Sequence, residues 1–472
     1  MIEIVALHHS GKSTYRLRQA TNSKAFYNYS WSVHPQNSVV SNPMALDLLE
    51  IGKAVHLADR AIRRDLRLGK RTRAIQVCIP VFERNFWESV RGLLEKLAGF
   101  ASCDVWQITF AQTKGREPPP RKKSSRLEAD VVALFSGGLD SLCGAAYLCP
   151  RSTPVFVTHS PPGRERTEQM LAKLWAAMGK EPLKREHLVT FRLTPRDLDR
   201  KGRRTMFPEA SRRTRPFFFL SLAAAVALEH QIEKIQMSEN GAMALSLPLR
   251  AEAYGAQRAR QAHDFLMRGF TELLKKIESR PWQVRNPFAL ETKGEACRHL
   301  KIGQAQPKTG LVGELASKTE SCEYVGRQRA RLLAWKRNHR RRSGEIGVGG
   351  GPQCGLCEPC VSRRAALGIA NINEPESGYF FSLDVVRRLG YTPGGGQDAI
   401  PPLYKVVAPH VFWMRRFCRR LEATNQYDFA IDFAPEILKS GCVLDHMAVK
   451  EQYDLMRRYC QEISTLLGAE QS

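Results

Sequence analysis

No hydrophobic run in these 472 residues is long enough to cross a bilayer. The longest, FFFLSLAAAVAL at 217–228, falls well short of the roughly 20 apolar residues a spanning helix needs, and it carries a serine. It reads as a buried helix. The opening MIEIVALHHSGK lacks a basic start followed by a long apolar core, so no secretory leader is expected. Cysteine is sparse. Twelve in a chain of this length are too thin for a disulfide scaffold, and eight of them (Cys78, Cys103, Cys143, Cys149, Cys297, Cys418, Cys442, Cys460) are scattered as reduced thiols in a cytoplasmic protein would be. No repeat recurs at solenoid periods. Acidic residues are few: 47 against 72 basic ones, a net charge of +25. That balance suggests an acidic partner, which includes nucleic acid, a nucleotide or an acidic protein face; a basic surface with no specific partner is the plainer alternative. With 43% hydrophobic residues the chain can build two or three packed domains.

Residues 1–112 alternate strand-like and helical patterns and are expected to form an N-terminal α+β domain. IEIVAL, AIQVCIPV (74–81) and VWQITFAQ (105–112) read as strands, and MALDLLEIGKAVHLADRAIRRD (44–65) and WESVRGLLEKLAGF (87–100) as helices. TKGREPPPRKKSSRLEAD (113–130) is proline-rich and charged, as a linker is. Beyond it the pattern becomes strand, loop, helix, repeated: VVALF, DSLCGAAYL, TPVFVTH, TEQMLAKLWAAMG, HLVTFRL, PFFFLSLAAAVALEH, KIQMS. Such alternation predicts right-handed crossovers and a parallel, doubly wound α/β sheet, whose ligands lie beyond the carboxyl ends of the strands. The expected span of this domain is 131–370, with a helical C-terminal extension over 371–472, in which VFWMRRFCRRLEA (411–423) packs a helix.

At the end of the first strand of that pattern stands Ser-Gly-Gly-Leu-Asp-Ser, residues 136–141. A helix N-terminus offers unpaired N–H groups to an anion. Gly137 and Gly138 let the backbone curl close to a phosphate, Ser136 and Ser141 supply hydroxyl donors, and Leu139 lies between them. Asp140 would repel a bare phosphate, which suggests an intervening divalent cation such as Mg²⁺. A Gly-Gly turn with a Ser or Asp cap is the structural alternative. A second glycine-rich string, ALHHSGKS (6–13), matches a loose nucleotide-loop pattern, but no convincing helical stripe follows it, so it is not expected to hold ATP.

CGLCEPC places Cys354, Cys357 and Cys360 so that three thiolates can converge on one Zn²⁺. Cys322 is the preferred fourth ligand, with Cys297 and His299 as rivals. The basic stretch RQRARLLAWKRNHRRR (327–342) is best read as a solvated helix or flexible insertion; stacking of Trp335 on a base is the other reading.

SGGLDS resembles the PP-loop of the N-type ATP pyrophosphatases, which split ATP between its α and β phosphates while adenylating a substrate oxygen. The resemblance narrows with the cysteines. A late cysteine, then Cys-Gly-x-Cys-x-x-Cys and an arginine, is similar to the zinc pattern of 7-cyano-7-deazaguanine synthase; here it reads Cys322, then Cys354 to Cys360, then Arg363, with 31 residues between the first two. NPFALETKGEA (286–296) and RTRPFFFLSLAAAVA (213–227) resemble further segments of that family, with Arg215 on its arginine and Pro216 where asparagine is usual. Two segments depart. SENGAMALSLPL keeps Asn240 but not the family's deazapurine-holding residues, and THSPPGRE replaces its Gly-Gln-Arg-His. The resemblance covers about 131–370. The N-terminal LEIGKAVHLADRAIRRD is similar to QueC-like proteins of bacterial anti-phage systems, of the Qat and type IV CBASS kinds.

What the resemblance implies is an enzyme, an ATP-dependent C–N ligase. Ser136, Gly137, Gly138, Asp140 and Ser141 would hold pyrophosphate with Mg²⁺ bridging, and Arg215 and Lys293 would neutralise phosphate charge unless they are ordinary salt-bridge residues. The zinc is expected to be structural. The implied substrate is 7-carboxy-7-deazaguanine or a related deazapurine carboxylate, and the acceptor is ammonia or an amine, including one on an acceptor protein of the same defence system. A tRNA-modifying PP-loop enzyme, with Cys143 or Cys149 as a sulfur carrier, and a non-catalytic nucleotide- or nucleic-acid-binding scaffold are the alternatives. No membrane partner is expected.

Overall fold

The structure is a computed structural model. It describes residues 2–9, 12–19, 27–35, 40–61, 72–113, 127–159, 166–178, 187–196, 209, 213–247, 249, 260–301, 309–322, 324–338, 351–387, 402–439 and 446–468. Most of the expected linker, the glycine-rich end of the basic stretch and the loop at 390–401 lie outside them.

Among the described residues ten strands join in one sheet: β1 (Ile2–His9), β2 (Lys12–Gln19), β3 (Tyr27–Pro35), β4 (Ala74–Val81), β5 (Val105–Gln112), β6 (Val131–Leu134), β7 (Pro154–His159), β8 (Leu188–Arg196), β9 (Lys234–Met237) and β10 (Gln283–Arg285). Their order is β10-β9-β6-β7-β8-β3-β2-β1-β4-β5. The five from β10 to β8 run parallel, as the alternating pattern predicts. An antiparallel run of β8, β3, β2 and β1 then leads to the parallel β1, β4 and β5. Residues 1–112 and the later segment therefore share one sheet through β3 and β8. Lys12 and Ser13 open β2 rather than a helix, and the described residues of the 6–13 string lie on the paired antiparallel strands β1 and β2.

Sixteen helices are described: α1 (Pro43–Ala61), α2 (Arg84–Ser89), α3 (Arg91–Ser102), α4 (Leu139–Leu148), α5 (Arg166–Ala177), α6 (Arg215–His230), α7 (Gly241–Leu245), α8 (Asp264–Ile277), α9 (Lys293–Arg298), α10 (Thr309–Lys318), α11 (Val325–Asn338), α12 (Glu358–Ile369), α13 (Leu383–Arg387), α14 (Pro402–Glu422), α15 (Gln426–Lys439) and α16 (His446–Leu467). Burial explains the strand patterns. In β6 and β7 nearly every residue is buried, because helices cover both faces and a continuous apolar run is required. In β5, at the sheet edge, exposed and buried residues alternate. The single helix expected over 87–100 is two, broken at Val90. Asp47 accepts hydrogen bonds from the Phe82 and Glu83 amides and, at 2.8 Å, from the Trp87 indole, which fixes the direction of α2 before α3 sets out.

The helix at 215–230 is buried as its composition requires; it lies against α1 as well as β6 and β9. The seam between α1 and α6 holds buried charge. Arg73 pairs with Asp59 of α1 and, at 2.6 Å, with Asp104, while Asp59 accepts from the Thr214 amide and hydroxyl at 3.1 and 3.0 Å. Two other cores flank the sheet. One packs α4, α5 and α9 around Leu142, Leu174 and Phe288. The other joins the cysteine cluster to α14 and α16 through Leu356, Phe381, Val407 and Met456.

Removing one member of a buried ion cluster strands the others without water. Arg73→Ala is expected to lower the unfolding free energy by about 3–5 kcal/mol, measured by urea denaturation; a loss below about 1 kcal/mol, the range of exposed pairs, would contradict the role given to this cluster.

Candidate nucleotide loop and metal centre

Strand β6 ends against β7, with the Phe135 amide still bonded to the Val157 carbonyl at 2.9 Å, and the chain then turns through residues 136–138 into α4. Gly137 makes the turn possible. Its φ is +75°, and a Cβ there would lie 3.1 Å from Thr167 Oγ1 of α5. Gly138 is the N-cap and has no side chain to cap the helix. The serines brace the turn. Ser136 Oγ accepts from the Gly138 amide at 3.3 Å, and Ser141 Oγ donates to the Gly138 carbonyl at 2.9 Å and lies 3.2 Å from Ser136 Oγ. The first-turn amides of Leu139, Asp140 and Ser141 have no carbonyl one turn back. Among the described residues no other carbonyl takes them. They form an open set of N–H donors at the carboxyl end of a parallel strand, a geometry suited to phosphate oxygens.

Asp140 does not face open water. Its Oδ2 pairs with Lys293 Nζ, and its Oδ1 accepts from Asn240 Nδ2 at 2.9 Å and from the Asn240 amide at 3.3 Å. Asn240 is fully buried and its side-chain oxygen caps α7, accepting from Met243 at 3.1 Å. The same Nδ2 lies 3.3 Å from Glu239 Oε1. Lys293 is the first residue of α9, fixed by a Thr292–Glu295 capping box. Burial alone would raise the Asp140 carboxyl, but Lys293 and Asn240 outweigh it and hold it below its ordinary 3.8. Burial alone would lower Lys293; Asp140 and Glu239 hold it above its ordinary 10.5. Both groups are charged throughout the neutral range.

Arg215, the other cation expected at the phosphate, opens α6, with its guanidinium 4.8 Å from the centroid of the Phe219 ring. Cys143 is buried one turn after Asp140, with its sulfur 3.9 Å from that of Cys297 on α9. Burial first, and then Cys297, push the Cys143 thiol well above the usual range, which disfavours the thiolate that sulfur transfer requires. Cys149 is fully buried as well.

The candidate metal centre lies elsewhere. Cys322, Cys354, Cys357 and Cys360 bring four sulfurs within 4.8 Å of one another, and among the described residues they form the group able to hold a metal ion. The Cys354–Cys360 and Cys357–Cys322 sulfurs are 3.8 and 3.9 Å apart. Ligands about 2.3 Å from a zinc ion at tetrahedral corners stand about 3.8 Å apart, so the set fits a metal such as zinc. Backbone amides support the charge of bound thiolates: Cys354 N lies 3.3 Å from Cys322 Sγ, and Cys357 N lies 3.2 Å from Cys354 Sγ. The rivals for the fourth position are occupied otherwise. Cys297 faces Cys143, and His299 stacks on Phe288 and pairs with Glu291 at 2.9 Å. Cys357 is the N-cap of α12, which packs on both α9 and α16. Arg363, buried on α12, reaches Glu374 at 2.7 Å. Trp335 is buried in the same core with Leu332, so its ring is not open to a nucleic acid base.

Sequence reading overlooked Glu239, which follows a strand end where ligands gather, and the Thr-Lys-Gly-Glu capping box, which is legible as a pattern.

Two outcomes follow. Asp140 is depressed, so its contribution to stability is present above 3.8 and is lost as pH falls through its folded value. Urea unfolding from pH 7 to 3 should show this loss in the wild type and not in Lys293→Met; equal profiles would contradict the pair. The purified chain should carry one zinc per molecule by elemental analysis, and Cys357→Ser should lose the metal and melt roughly 5–10 °C lower. A metal-free protein of unchanged melting temperature would rule the centre out.

Neither the scan against protein-family models nor the search of curated proteins found a match for this chain.

Proposed function

We propose that this chain adenylates a carboxylate with ATP, releasing pyrophosphate, and passes the acyl group to an amine. The observation that carries this reading is the set of three open amides at 139–141, placed beside a buried lysine held by the aspartate of the same loop. The motif resemblance points to 7-carboxy-7-deazaguanine or a related deazapurine acid as the substrate.

A carboxylate is a poor electrophile, since oxide would have to leave. Its oxygen attacks the α-phosphorus, the α–β bridging bond breaks, and pyrophosphate departs with the electron pair. The mixed anhydride then has AMP as its leaving group, and an amine displaces it to give an amide. The protein positions the partners and neutralises charge that grows on the departing pyrophosphate. In this reading the amides of Leu139, Asp140 and Ser141 hold the β and γ phosphates, and the Ser136 hydroxyl is close enough to join them. Lys293 is poised to move from Asp140 toward the leaving group, and Asn240 keeps Asp140 oriented as it does so. Magnesium, held by Asp140, would supply further charge neutralisation at the pyrophosphate. Arg215, which opens α6 beside Phe219, is assigned no step. A zinc ion held by Cys322, Cys354, Cys357 and Cys360 would have four thiolate ligands, so it would hold α12 and take no part in chemistry.

The altered segments after β7 and β9 favour an amine other than ammonia, and the defence resemblance favours one on a protein.

Incubation with ATP, Mg²⁺ and 7-carboxy-7-deazaguanine should yield AMP and pyrophosphate in equal amounts. Asp140→Ala and Lys293→Met should each slow release by about 10²–10³-fold, the usual cost of a lost charge-stabilising group. The mass of a candidate acceptor protein should rise by that of the acyl group. ADP and phosphate in place of AMP would exclude the reaction class, and a free nitrile with an unchanged acceptor would exclude conjugation.

A further inference from the structure

The C-terminal helix α16 sends one carboxylate into the support of the candidate site. Glu462 is 6% exposed. Its Oε1 accepts from the Thr292 hydroxyl, and its Oε2 accepts from the Gly294 amide at 3.2 Å. These two residues flank Lys293. Thr292 is the N-cap of α9, and its oxygen also accepts from the Glu295 amide at 3.1 Å, while Glu295 Oε2 accepts from the Thr292 amide at 2.8 Å. The contact is close: a Cβ at position 294 would stand 2.3 Å from Glu462 Oε1, so any side chain there would displace the glutamate. One turn earlier on the same face of α16, Arg458 donates to Glu295 Oε1 at 2.9 Å and to the Leu290 carbonyl at 2.8 Å. The helix also touches α7, the element that Asn240 caps. Both residues that hold Asp140 thus rest on segments braced by α16. Burial raises the Glu462 carboxyl above its ordinary 4.5, against the pull of Thr292 and Gly294. A buried carboxylate without a cation bonded to it is costly unless donors take its oxygens, and here the donors are those that fix the start of α9.

We infer that Glu462 is a positioning residue for Lys293: its two acceptor oxygens set the first turn of α9 and so set the lysine ammonium against Asp140 and the departing phosphates. This rests on the adenylation reading for its kinetic consequence, and on the contacts alone for its structural one. Its geometric specificity predicts a loss in turnover rather than in nucleotide capture, because the lysine acts on charge that develops only as the α–β bond breaks.

The test compares Glu462→Ala, Glu462→Gln, Lys293→Met and the Glu462→Ala/Lys293→Met double variant, all full-length and checked for zinc content and far-UV spectrum. Pyrophosphate release should show kcat lowered by about 10–100-fold in Glu462→Ala, in line with a misplacement of about 1 Å. KM for ATP should stay within about threefold. Glu462→Gln, which keeps one acceptor oxygen, should recover part of the rate and serves if the alanine variant does not fold. In the Lys293→Met background Glu462→Ala should add nothing. Losses that multiply, or a glutamine variant no faster than alanine, would overturn the assignment. If the wild type makes no AMP with any acid, the adenylation reading fails by itself. The positioning claim is then read from amide hydrogen exchange over 290–298 and from calorimetric binding of magnesium pyrophosphate. Faster exchange with weaker binding in Glu462→Gln upholds it, and unchanged values in both overturn it.

Discussion

Lys293 and Asp140 meet where almost no water reaches, with side-chain exposures of 9% and 15%. A charge so enclosed must be paired and hydrogen-bonded, or it neutralises. That requirement explains much of the surrounding structure. Asp140 comes from the first turn of α4, Lys293 from the first residue of α9, and Asn240 from the cap of α7. Each stands at a helix start, and each start is fixed by its own cap or turn. With Asn240 the pair holds together three segments far apart in the sequence, and it does so beside three amides that no carbonyl takes among the described residues.

The cysteine cluster serves this arrangement at a distance. Four sulfurs gather where α12 begins, and α12 lies against α9 and α16. A metal bound there would fix the start of α12 much as the capping box fixes α9. The buried Arg363–Glu374 pair and the Ser362–Tyr459 hydroxyl contact at 2.8 Å carry that order along α12 and into α16. Metal loss is therefore expected to reach the lysine by way of packed helices rather than through any contact with a ligand.

The parts legible in the sequence were those written locally. Six consecutive residues encode the loop at 136–141, because the glycines and hydroxyls that shape the turn are neighbours. The alternation of apolar strands with helices after residue 130 reveals the parallel half of the sheet, since strands covered on both faces need unbroken apolar runs. Three cysteines within seven residues reveal most of the metal set. What stayed hidden depends on long-range pairing. Lys12–Gln19 and Tyr27–Pro35 carry weak strand patterns, and their antiparallel partners make the continuous sheet. Glu462 lies 170 residues from Thr292 in an amphipathic helix, where nothing in the local pattern marks it off from any other glutamate. The helix break at Val90 likewise depends on Asp47, on another helix.

Everything proposed for Lys293 and Asp140 turns on where the phosphates bind. A crystal structure of the full chain with magnesium and an ATP analogue carrying a methylene bridge between the α and β phosphates tests it most directly. The β- and γ-phosphate oxygens should lie within about 3.2 Å of the Leu139, Asp140 and Ser141 amide nitrogens, with the Lys293 ammonium turned toward the bridge. Phosphates bound elsewhere on the chain, with no phosphate oxygen near the three amides, would contradict it.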